Sequence, residues 1–391
     1  MKISGCRRRT WVTVDLNNAT HNFKEIKNLV KSKICCVVKG NAYGHGAIEL
    51  ASLYQNLGAD FLAVSNIEEA LQLRKNNITL PILILGYTPP ECALELARND
   101  ISQSVYSFEY AKELISYAES YQVSVKIHVK IDSGMNRIGF KTDTLSLNNI
   151  VTVCNSNALI PEGIFTHFSA ADTGEDGRER TKRQYETFQH ATKHLHSMGV
   201  SFQIKHCSNS AAIFDYPEYQ LDMVRAGIAL YGLYPSKETG RAIDLRKVMT
   251  LTSVISHVKE IKSGDAISYG GTFVATKPMK VATVPIGYAD GFWRNNGNMQ
   301  YALKVNDRYA TILGRICMDQ LMIDVTDIDC AIGDEVMIFG DDDVCSATKI
   351  AEANNTIDYE VVCAVGSRVP RFFIKDGKVL SVRDLVYDCD L

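Results

Sequence analysis

The sequence lacks a strong charge of one sign, a long apolar run and a paired-cysteine motif. Its 42 lysines and arginines nearly balance 45 aspartates and glutamates, which gives a formal net charge of -3. There is therefore no basic field to attract nucleic acid or an anionic membrane surface. No segment approaches the roughly 20 consecutive apolar residues of a membrane helix. We expect neither a nucleic-acid partner nor a membrane partner.

The cysteines and the N-terminus indicate a reducing compartment. The 11 cysteines are an odd number, include no CxxC motif and are adjacent only at Cys35 and Cys36. This pattern fits neither a zinc site nor a disulfide framework, so no metal is expected. Residues 11–15 end the N-terminal apolar stretch too early for a signal peptide. A cytoplasmic location is predicted.

From about residue 15 to residue 240, short apolar runs alternate with amphipathic segments of helical periodicity. Strands that alternate with helices imply a parallel sheet. Eight such units in about 225 residues fit a closed (β/α)8 barrel better than an open sheet. We therefore predict an α/β protein with a TIM-like barrel over residues 15–245. The predicted strands cover residues 34–38, 61–65, 82–85, 102–106, 123–131, 163–167, 202–205 and 221–224.

The pattern changes after residue 245. Short apolar segments are now separated by turn signals, among them the Asn306-Asp307 and Asp376-Gly377 pairs. We predict a mostly-β domain over residues 246–391, with residues 1–14 packed against it. The predicted strands cover residues 248–259, 280–285, 301–305, 310–313, 320–325 and 335–339.

The first predicted strand ends in a lysine that runs into a glycine-bearing loop, in the segment ICCVVKGNAYGHG. In a barrel the C-terminal ends of the strands carry the chemistry. Lys39 is therefore a candidate for forming a Schiff base with a carbonyl group. Tyr43 follows four residues later, where its hydroxyl could reach an anionic group. The spacing alone also allows a strand-end lysine in solvent.

Strands seven and eight end in segments that suit a phosphate. Asn209 and Ser210 precede an alanine pair and are typical of a helix N-cap, and the free N–H groups of a helix N-terminus bind anions. Gly227, shortly after Arg225, would let the backbone approach a ligand closely. Phosphate sites after strands seven and eight recur in barrels. A plain capped helix followed by a tight turn is the alternative.

Strand five carries a polar face. Lys126, His128, Lys130 and Asp132 alternate with apolar residues, and Arg137 lies on the loop that follows. A polar face on a barrel strand either points inward to a site or is paired. The open alternatives are an ion pair between Lys130 and Asp132 and a solvent-exposed Arg137.

Taken together, these segments resemble the alanine racemase family. The resemblance runs from WVTVDL to RVPR, which is essentially the whole chain, and its most specific motif is VVKGNAYGHG. The family more often has alanine where Gly40 stands. The supporting motifs, in chain order, are HVKIDSGMNRIGF, GIFTHFSAAD, SNSAA, MVRAGIALYG, ISYGGTF, PIGYADG and GRICMDQ. The resemblance implies a fold type III pyridoxal-phosphate enzyme.

The resemblance implies pyridoxal 5'-phosphate as the cofactor and a two-base racemisation of alanine that supplies a D-amino acid for the cell wall. Lys39 would carry the cofactor and act as one base. Tyr269 resembles the opposing tyrosine base, which in the family comes from the partner subunit, so a homodimer is implied. Arg225 resembles the arginine at the pyridine nitrogen, and His167 resembles the histidine that links this arginine to the tyrosine.

The remaining roles also follow from the resemblance. Lys130 matches a lysine that is carbamylated in many members and supports Arg137, which lies near the cofactor's phenolic oxygen and the substrate carboxylate. The cofactor-binding positions are Lys39, Tyr43, His167, Asn209, Ser210, Arg225, Gly227 and Ile228. The partner-subunit wall of the substrate pocket matches Tyr288, Cys317, Met318 and Asp319.

One position departs from the family in a way that affects specificity. The family usually has a tyrosine before the Arg-Val-Pro-Arg run, and this chain has Ser367. The missing phenol opens space on the order of a benzene ring, and serine racemases that resemble this family also lack the bulky tyrosine. Because an apolar pocket discriminates only weakly against an added hydroxyl, serine or mixed serine and alanine racemisation is the alternative.

Two other classes of protein fit this sequence less well. A decarboxylase of the same architecture would bind its substrate through other β-domain motifs than GYADG and CMDQ. A non-catalytic pyridoxal-phosphate carrier would consist of the barrel alone, without a second domain of about 145 residues and without Tyr269.

Overall fold

The computed structural model describes residues 9–240, 243–298 and 301–386. The chain forms two compact units. Of the described residues, those within Thr20–Ala42 and Ala47–Leu245 form the first, called here the barrel unit, and those up to Ala19, within Tyr43–Gly46 and from Arg246 onward form the second, the β unit. Of the N-terminal segment that was predicted to pack with the β domain, residues 1–8 lie outside the described residues.

The barrel unit contains an eight-stranded parallel sheet that curves into a nearly closed barrel. Its strands run in chain order around the sheet, and the last strand, β8 (Met223–Ala226), pairs in parallel with the first strand, β1 (Lys33–Val37). Two backbone hydrogen bonds bridge the seam between β7 (Ile204–His206) and β8: Asp222 N donates to Lys205 O, and Arg225 N donates to Ser208 O. The predicted barrel is confirmed. The strands are β1 (Lys33–Val37), β2 (Phe61–Val64), β3 (Ile82–Ile84), β4 (Ile101–Val105), β5 (Val125–Lys130), β6 (Leu159–Phe165), β7 (Ile204–His206) and β8 (Met223–Ala226).

Helices connect the barrel strands, and polar side chains begin several of them. The side chains of Asn66, Ser107 and Asp143 each accept a hydrogen bond from a backbone N–H in the first turn of the helix that follows. These bonds satisfy N–H groups that have no partner within the helix. The helices before residue 245 are Leu16–Leu29, Ala47–Asn56, Ile67–Lys75, Ala93–Arg98, Phe108–Ser120, Thr144–Cys154, Glu175–Ser197 and Ser210–Asp215.

The β unit is built on a seven-stranded sheet with two smaller sheets beside it. The N-terminal strand Thr10–Asp15 lies inside the large sheet, antiparallel to Met249–Val254 and parallel to Arg371–Lys375. The unit also contains the helices Ala347–Ala353 and Asp358–Cys363. Its other strands are His257–Ile261, Ala266–Ile267, Phe273–Val274, Met279–Val284, Ala302–Val305, Arg308–Thr311, Leu321–Asp324, Glu335–Phe339 and Lys378–Arg383.

The predicted strand over residues 248–259 is in fact two strands. Met249–Val254 belongs to the large sheet and His257–Ile261 to a three-stranded sheet. Between them Ile255 N donates to Asp334 O and Ser256 N donates to Thr283 O, so the chain passes from one sheet to the other at this point. Alternation of apolar residues does not reveal such a change of hydrogen-bonding partner. Among the described helices of both units, none is long and apolar enough to cross a membrane.

Candidate active site

Lys39 stands just beyond the C-terminal end of β1, at the start of a left-handed turn. Gly40, Asn41, Ala42 and Tyr43 have φ angles of 61°, 53°, 54° and 52°. For residues other than glycine this conformation costs roughly 1–2 kcal/mol each, so the surroundings must hold it in place. The strained backbone therefore marks the segment that carries the predicted cofactor lysine.

Two side chains of the barrel unit hold this turn. Glu69 accepts from Gly40 N at 2.7 Å through one carboxylate oxygen and from Ser65 N at 2.7 Å through the other, so it ties the end of β1 to the end of β2. Asn41 accepts from Ala47 N at 2.9 Å and thereby connects the turn to the next helix. The role of Glu69 was not predicted from the sequence. A carboxylate in the first turn of a helix is already explained by its favourable interaction with the helix dipole.

Arg225 lies near the end of β8 and is 3% exposed. Its Nη2 donates to Thr166 O at 2.9 Å and to Cys207 O at 3.0 Å, and it lies 3.1 Å from Nδ1 of His167. Its Nη1 lies 2.9 Å from Nδ1 of His206. The guanidinium is therefore fixed by hydrogen bonds on two sides inside the barrel.

The electrostatics around Arg225 keep the neighbouring histidine neutral. Burial lowers the pKa of Arg225 to about 10, which still leaves it protonated at neutral pH. Burial, followed by the charges of Arg225 and Lys130, lowers the pKa of His167 well below its usual value. The structure thus brings together Arg225 and His167, as the resemblance implied, with His167 as a neutral acceptor.

Lys130 ends β5 and is 5% exposed, with its Nζ 5.5 Å from the ring centre of Phe165. Burial and the charge of Arg137 lower the pKa of Lys130 to about 7. Arg137 is exposed on the following loop. One oxygen of Asp132 shapes that loop by accepting from the backbone N–H groups of residues 134, 135 and 136, at 3.0 Å each.

The predicted N-cap at the end of β7 is confirmed. Asn209 Oδ1 accepts from Ala212 N at 3.0 Å and begins the helix Ser210–Asp215. The hydroxyl of Ser210 accepts from Gly227 N at 2.9 Å, which joins the loops after β7 and β8. Ile228, which is fully buried, follows directly and starts a short 3-10 turn.

Tyr43 belongs to the β unit, together with Gly44 and His45. Its carbonyl lies 2.9 Å from Nδ1 of His45, and its ring is 5.8 Å from that of Tyr359. Burial raises the pKa of the Tyr43 hydroxyl. An ideal Cβ on Gly44 would lie 2.2 Å from Val362 O, so only glycine fits beside that carbonyl.

Tyr269 is 64% exposed and stands on a turn with positive φ angles on both sides. Ser268 has φ 65° and Gly270 has φ 75°. The hydroxyl of Ser268 donates to Arg315 O at 2.5 Å and lies 3.6 Å from Sγ of Cys317. The turn therefore places the tyrosine ring outward, next to the segment that contains Cys317.

The other predicted wall residues adjoin this turn through backbone hydrogen bonds. Tyr288 N donates to Cys317 O at 3.2 Å, and the next amide, at residue 289, donates to Met318 O at 3.0 Å. Gly287 permits this contact, because a Cβ there would lie 2.3 Å from the carbonyl oxygens of Cys317 and Met318. Tyr288 is 40% exposed and Met318 is 52% exposed.

Two arginines hold the segment of Ser367, which is itself exposed. Arg368 Nε donates to Asp290 at 2.8 Å and its Nη2 donates to Asp319 at 2.6 Å. Arg371 is buried and donates to the carbonyls of residues 44, 365, 366 and 369. Tyr269, Tyr288, Cys317, Met318, Asp319 and Ser367 thus form one connected region of the β unit, called here the exposed wall.

Both domains of this chain match known families. Residues 14–235 match "Alanine racemase, N-terminal domain", and residues 248–373 match "Alanine racemase, C-terminal domain". The chain is 44% identical to alanine racemase 2 of Caldanaerobacter subterraneus subsp. tengcongensis, over 96% of this chain and 98% of that protein. It is 43% identical to an alanine racemase of Clostridium perfringens, over 97% of this chain and 99% of the relative.

Solved structures give the same result. The alanine racemase of Clostridium difficile 630 superimposes with a TM-score of 0.92 at 42% identity, covering 97% of this chain and 99% of that one. The alanine racemase of Bacillus anthracis with bound L-Ala-P superimposes with a TM-score of 0.93 at 36% identity, covering 99% and 100%. The chain therefore belongs to the alanine racemase family of isomerases.

Proposed function

We propose that this chain interconverts L- and D-alanine with pyridoxal 5'-phosphate bound at the C-terminal end of the barrel. One observation supports the proposal: Lys39, the Ser210–Gly227 contact and Arg225 all lie at the same end of the barrel. They lie at or just beyond the ends of β1, β7 and β8, which are neighbours around the barrel. Lysine, hydroxyl, backbone amides and a fixed cation are the groups that this cofactor requires.

The residues present fit the cofactor. The Ser210 hydroxyl, whose oxygen accepts from the Gly227 amide, can donate its own proton to a phosphate, while Asn209 shapes the helix start beside it. Ile228 supplies the next amide, and the family resemblance assigns the Tyr43 phenol to the same phosphate. When bound, the cofactor withdraws electrons from the substrate Cα and so makes its hydrogen acidic.

Racemisation needs a proton removed from one face of Cα and a proton delivered to the opposite face. We assign these two roles to the Lys39 amine and the Tyr269 hydroxyl. Because Tyr269 is 64% exposed on the β unit, it is accessible to a second copy of the chain. We therefore propose a homodimer in which the exposed wall of one subunit completes the site of the other.

The remaining side chains orient the reactants. Arg225 stays protonated and holds the pyridine nitrogen by hydrogen bonding, with His167 linking it to the tyrosine. Arg137 binds the substrate carboxylate, and Lys130, as its carbamate, supports Arg137. Tyr288, Cys317, Met318 and Asp319 of the partner subunit bound the space beside the substrate.

A second candidate substrate is serine, because Ser367 replaces the tyrosine that usually fills this part of the pocket. The exposed Ser367 leaves room for a hydroxymethyl group and adds a hydroxyl that could bind it. We propose alanine as the main substrate, on the strength of the family, with serine racemisation as a second activity. A non-catalytic pyridoxal-phosphate carrier is disfavoured by the match of residues 248–373 to the catalytic family's second domain.

The test is a side-by-side assay of L-alanine and L-serine racemisation by the purified holoenzyme, with D-product separated by chiral chromatography. Lys39→Ala should abolish both D-products and the visible absorbance of covalently bound cofactor. Lys112→Ala, an exposed lysine on a barrel helix, serves as the matched control. Absence of racemisation by the wild-type protein with cofactor bound would support the carrier instead.

Supply of D-alanine for the cell wall is the cellular role that we propose. Expression of the chain in a bacterium that requires added D-alanine should restore growth without it. Expression of Lys39→Ala should not restore growth, because the variant lacks the amine that would attach the cofactor covalently and act as one of the two bases.

A further inference from the structure

A continuous chain of hydrogen bonds leads from Arg225 into the interior of the barrel. Arg225 Nη1 lies 2.9 Å from Nδ1 of His206, and Nε2 of His206 lies 2.9 Å from Nδ1 of His128. Nε2 of His128 lies 3.1 Å from a carboxylate oxygen of Glu162. Both histidines are fully buried, and the chain therefore joins a cation to an anion through two groups that water does not reach.

The two ends of this chain determine its direction. A guanidinium can only donate hydrogen bonds, and an ionised carboxylate can only accept them. Nδ1 of His206 must therefore be a bare acceptor, which leaves its proton on Nε2 to donate to His128. The same reasoning places a bare Nδ1 and a protonated Nε2 on His128, which donates to Glu162. Burial lowers the pKa of both histidines, in agreement with neutral rings.

Glu162, the acidic end of the hydrogen-bond chain, is positioned by the pairing of two barrel strands. β5 and β6 shift register at His128, so that residue 127 pairs with residue 161 and His128 pairs with Gly163, which leaves Glu162 as the extra residue of a bulge. Such bulges redirect a side chain. A Cβ on Gly163 would lie 2.4 Å from Nδ1 of His128, so glycine is required for the ring to fit. Ser102 donates to the same Glu162 oxygen at 2.6 Å and holds the carboxylate.

We propose that Glu162 is a positioning residue for the racemase reaction, which fixes the tautomers of His128 and His206 and thereby the orientation of Arg225. Without the carboxylate, the Nε2 proton of His128 has no acceptor, and only the guanidinium of Arg225 still opposes the reversed arrangement, in which His128 carries its proton on Nδ1. Nε2 of His206 must then accept a hydrogen bond from Nδ1–H of His128. His206 must therefore carry its own proton on Nδ1. Two donors would then face each other at Arg225 and His206, and the guanidinium would be displaced from the position in which it meets the cofactor.

This inference rests on the proposed function, because the hydrogen-bond chain is proposed to affect activity through the position of Arg225 at the cofactor. The two claims are separable by experiment. The histidine tautomers are measured by ¹⁵N NMR of the histidine-labelled holoenzyme, since protonated and bare ring nitrogens differ widely in shift. Wild-type protein that shows the expected tautomers but no racemisation would contradict the proposed function and leave the hydrogen-bond direction intact.

In the wild-type holoenzyme, His128 and His206 should both be neutral with the proton on Nε2, their signals being assigned by loss in His128→Asn and His206→Asn. Glu162→Leu should change the His206 tautomer and lower kcat by about tenfold with little change in KM, because the altered group acts on the cofactor rather than on substrate binding. Glu162→Gln keeps an acceptor oxygen and should keep both tautomers, with kcat lowered less than in Glu162→Leu.

Asp100→Asn is the matched control, since it removes a carboxylate that pairs with Lys126 of the same strand β5 at 2.6 Å but lies outside the chain. It should change neither the tautomers nor kcat. A proton on Nδ1 of His206 in the wild-type protein would overturn the proposal, and this measurement does not depend on any variant folding. The proposal would also be overturned if Glu162→Leu lowered kcat while the His206 signals stayed unchanged. Such a result would show that Glu162 affects activity only through the general structure of the barrel.

Discussion

Nη2 of Arg225 lies 3.1 Å from Nδ1 of His167, while the same guanidinium nitrogen donates to the carbonyls of Thr166 and Cys207. The arginine is thus held by the backbone, and the neutral histidine accepts from it. Because burial lowers the pKa of Arg225 only to about 10, the residue remains a cation throughout the physiological range. A protonated arginine cannot readily give its proton to a pyridine nitrogen.

Arg225→Glu should therefore increase side transamination relative to racemisation. A carboxyl group at this place can keep a proton on the pyridine nitrogen, which stabilises the deprotonated substrate for longer and gives misplaced protons more time to add. The measurement is the ratio of pyruvate to D-alanine formed from L-alanine. Arg180→Glu, on the exposed part of a barrel helix, makes the same charge change away from the site. An unchanged ratio in Arg225→Glu would contradict the assignment.

Mixed dimers test whether Tyr269 acts across the subunit interface. Lys39→Ala and Tyr269→Phe should each be nearly inactive, because each removes one of the two proposed bases. In mixed dimers one site combines the intact lysine of one chain with the intact tyrosine of the other. Unfolding and refolding the two variants together at equal amounts should then restore about a quarter of wild-type activity, since about half of the dimers are mixed and half of their sites are intact. If each active site took both bases from the same chain, the mixed dimers would recover no activity.

Lys130 should take up carbon dioxide in a pH-dependent way. Only the neutral amine reacts, and burial together with Arg137 lowers the pKa of Lys130 to about 7. At fixed dissolved carbon dioxide, the carbamate should therefore increase as the pH rises through about 7 and be lost below it. A carbamate signal in ¹³C NMR with labelled bicarbonate measures this. Lys130→Arg should remove the signal, and Lys126→Arg, on the same strand, should retain it. A signal that persists in Lys130→Arg would place the modification elsewhere.

Ser367→Tyr should increase the preference for alanine over serine. A phenol ring refills the space and excludes a hydroxymethyl group, so the ratio of kcat/KM values for the two substrates should shift toward alanine by about tenfold. Ser367→Ala separates space from hydrogen bonding, because it keeps the space and removes only the hydroxyl. Equal ratios in the wild type and in Ser367→Tyr would show that Ser367 does not determine specificity.

Gly40→Ala should lower the free energy of unfolding by about 1 kcal/mol, because φ is 61° at this residue. Apart from its chain neighbours and the backbone of its own turn, no atom lies within 4 Å of the added Cβ, so the cost is conformational and not a clash with another segment. Urea unfolding of the holoenzyme measures it. Gly199→Ala, at φ 87° and equally open, should cost a similar amount without affecting kcat. A loss several times larger in Gly40→Ala would indicate a contact that the backbone angle does not explain.

The sequence by itself determined the two architectures, because each follows from local pattern. Apolar runs alternating with helical periodicity specify a parallel barrel, and turn signals between short strands specify a β unit. The identity of the family followed from motifs such as VVKGNAYGHG, in which several residue types recur at fixed spacing. The lysine at the end of β1 and the N-cap at Asn209 were also predictable, since both depend on adjacent residues.

Tertiary structure alone decided which distant polar groups meet. The bulge that turns Glu162 toward His128 depends on the register between two strands, and the contact of Arg225 with His206 depends on the closing of the barrel. The change of sheet at residues 255 and 256 likewise depends on partners that lie far along the chain. Such contacts arise when burial removes water and each polar group must find a partner, which no local pattern encodes.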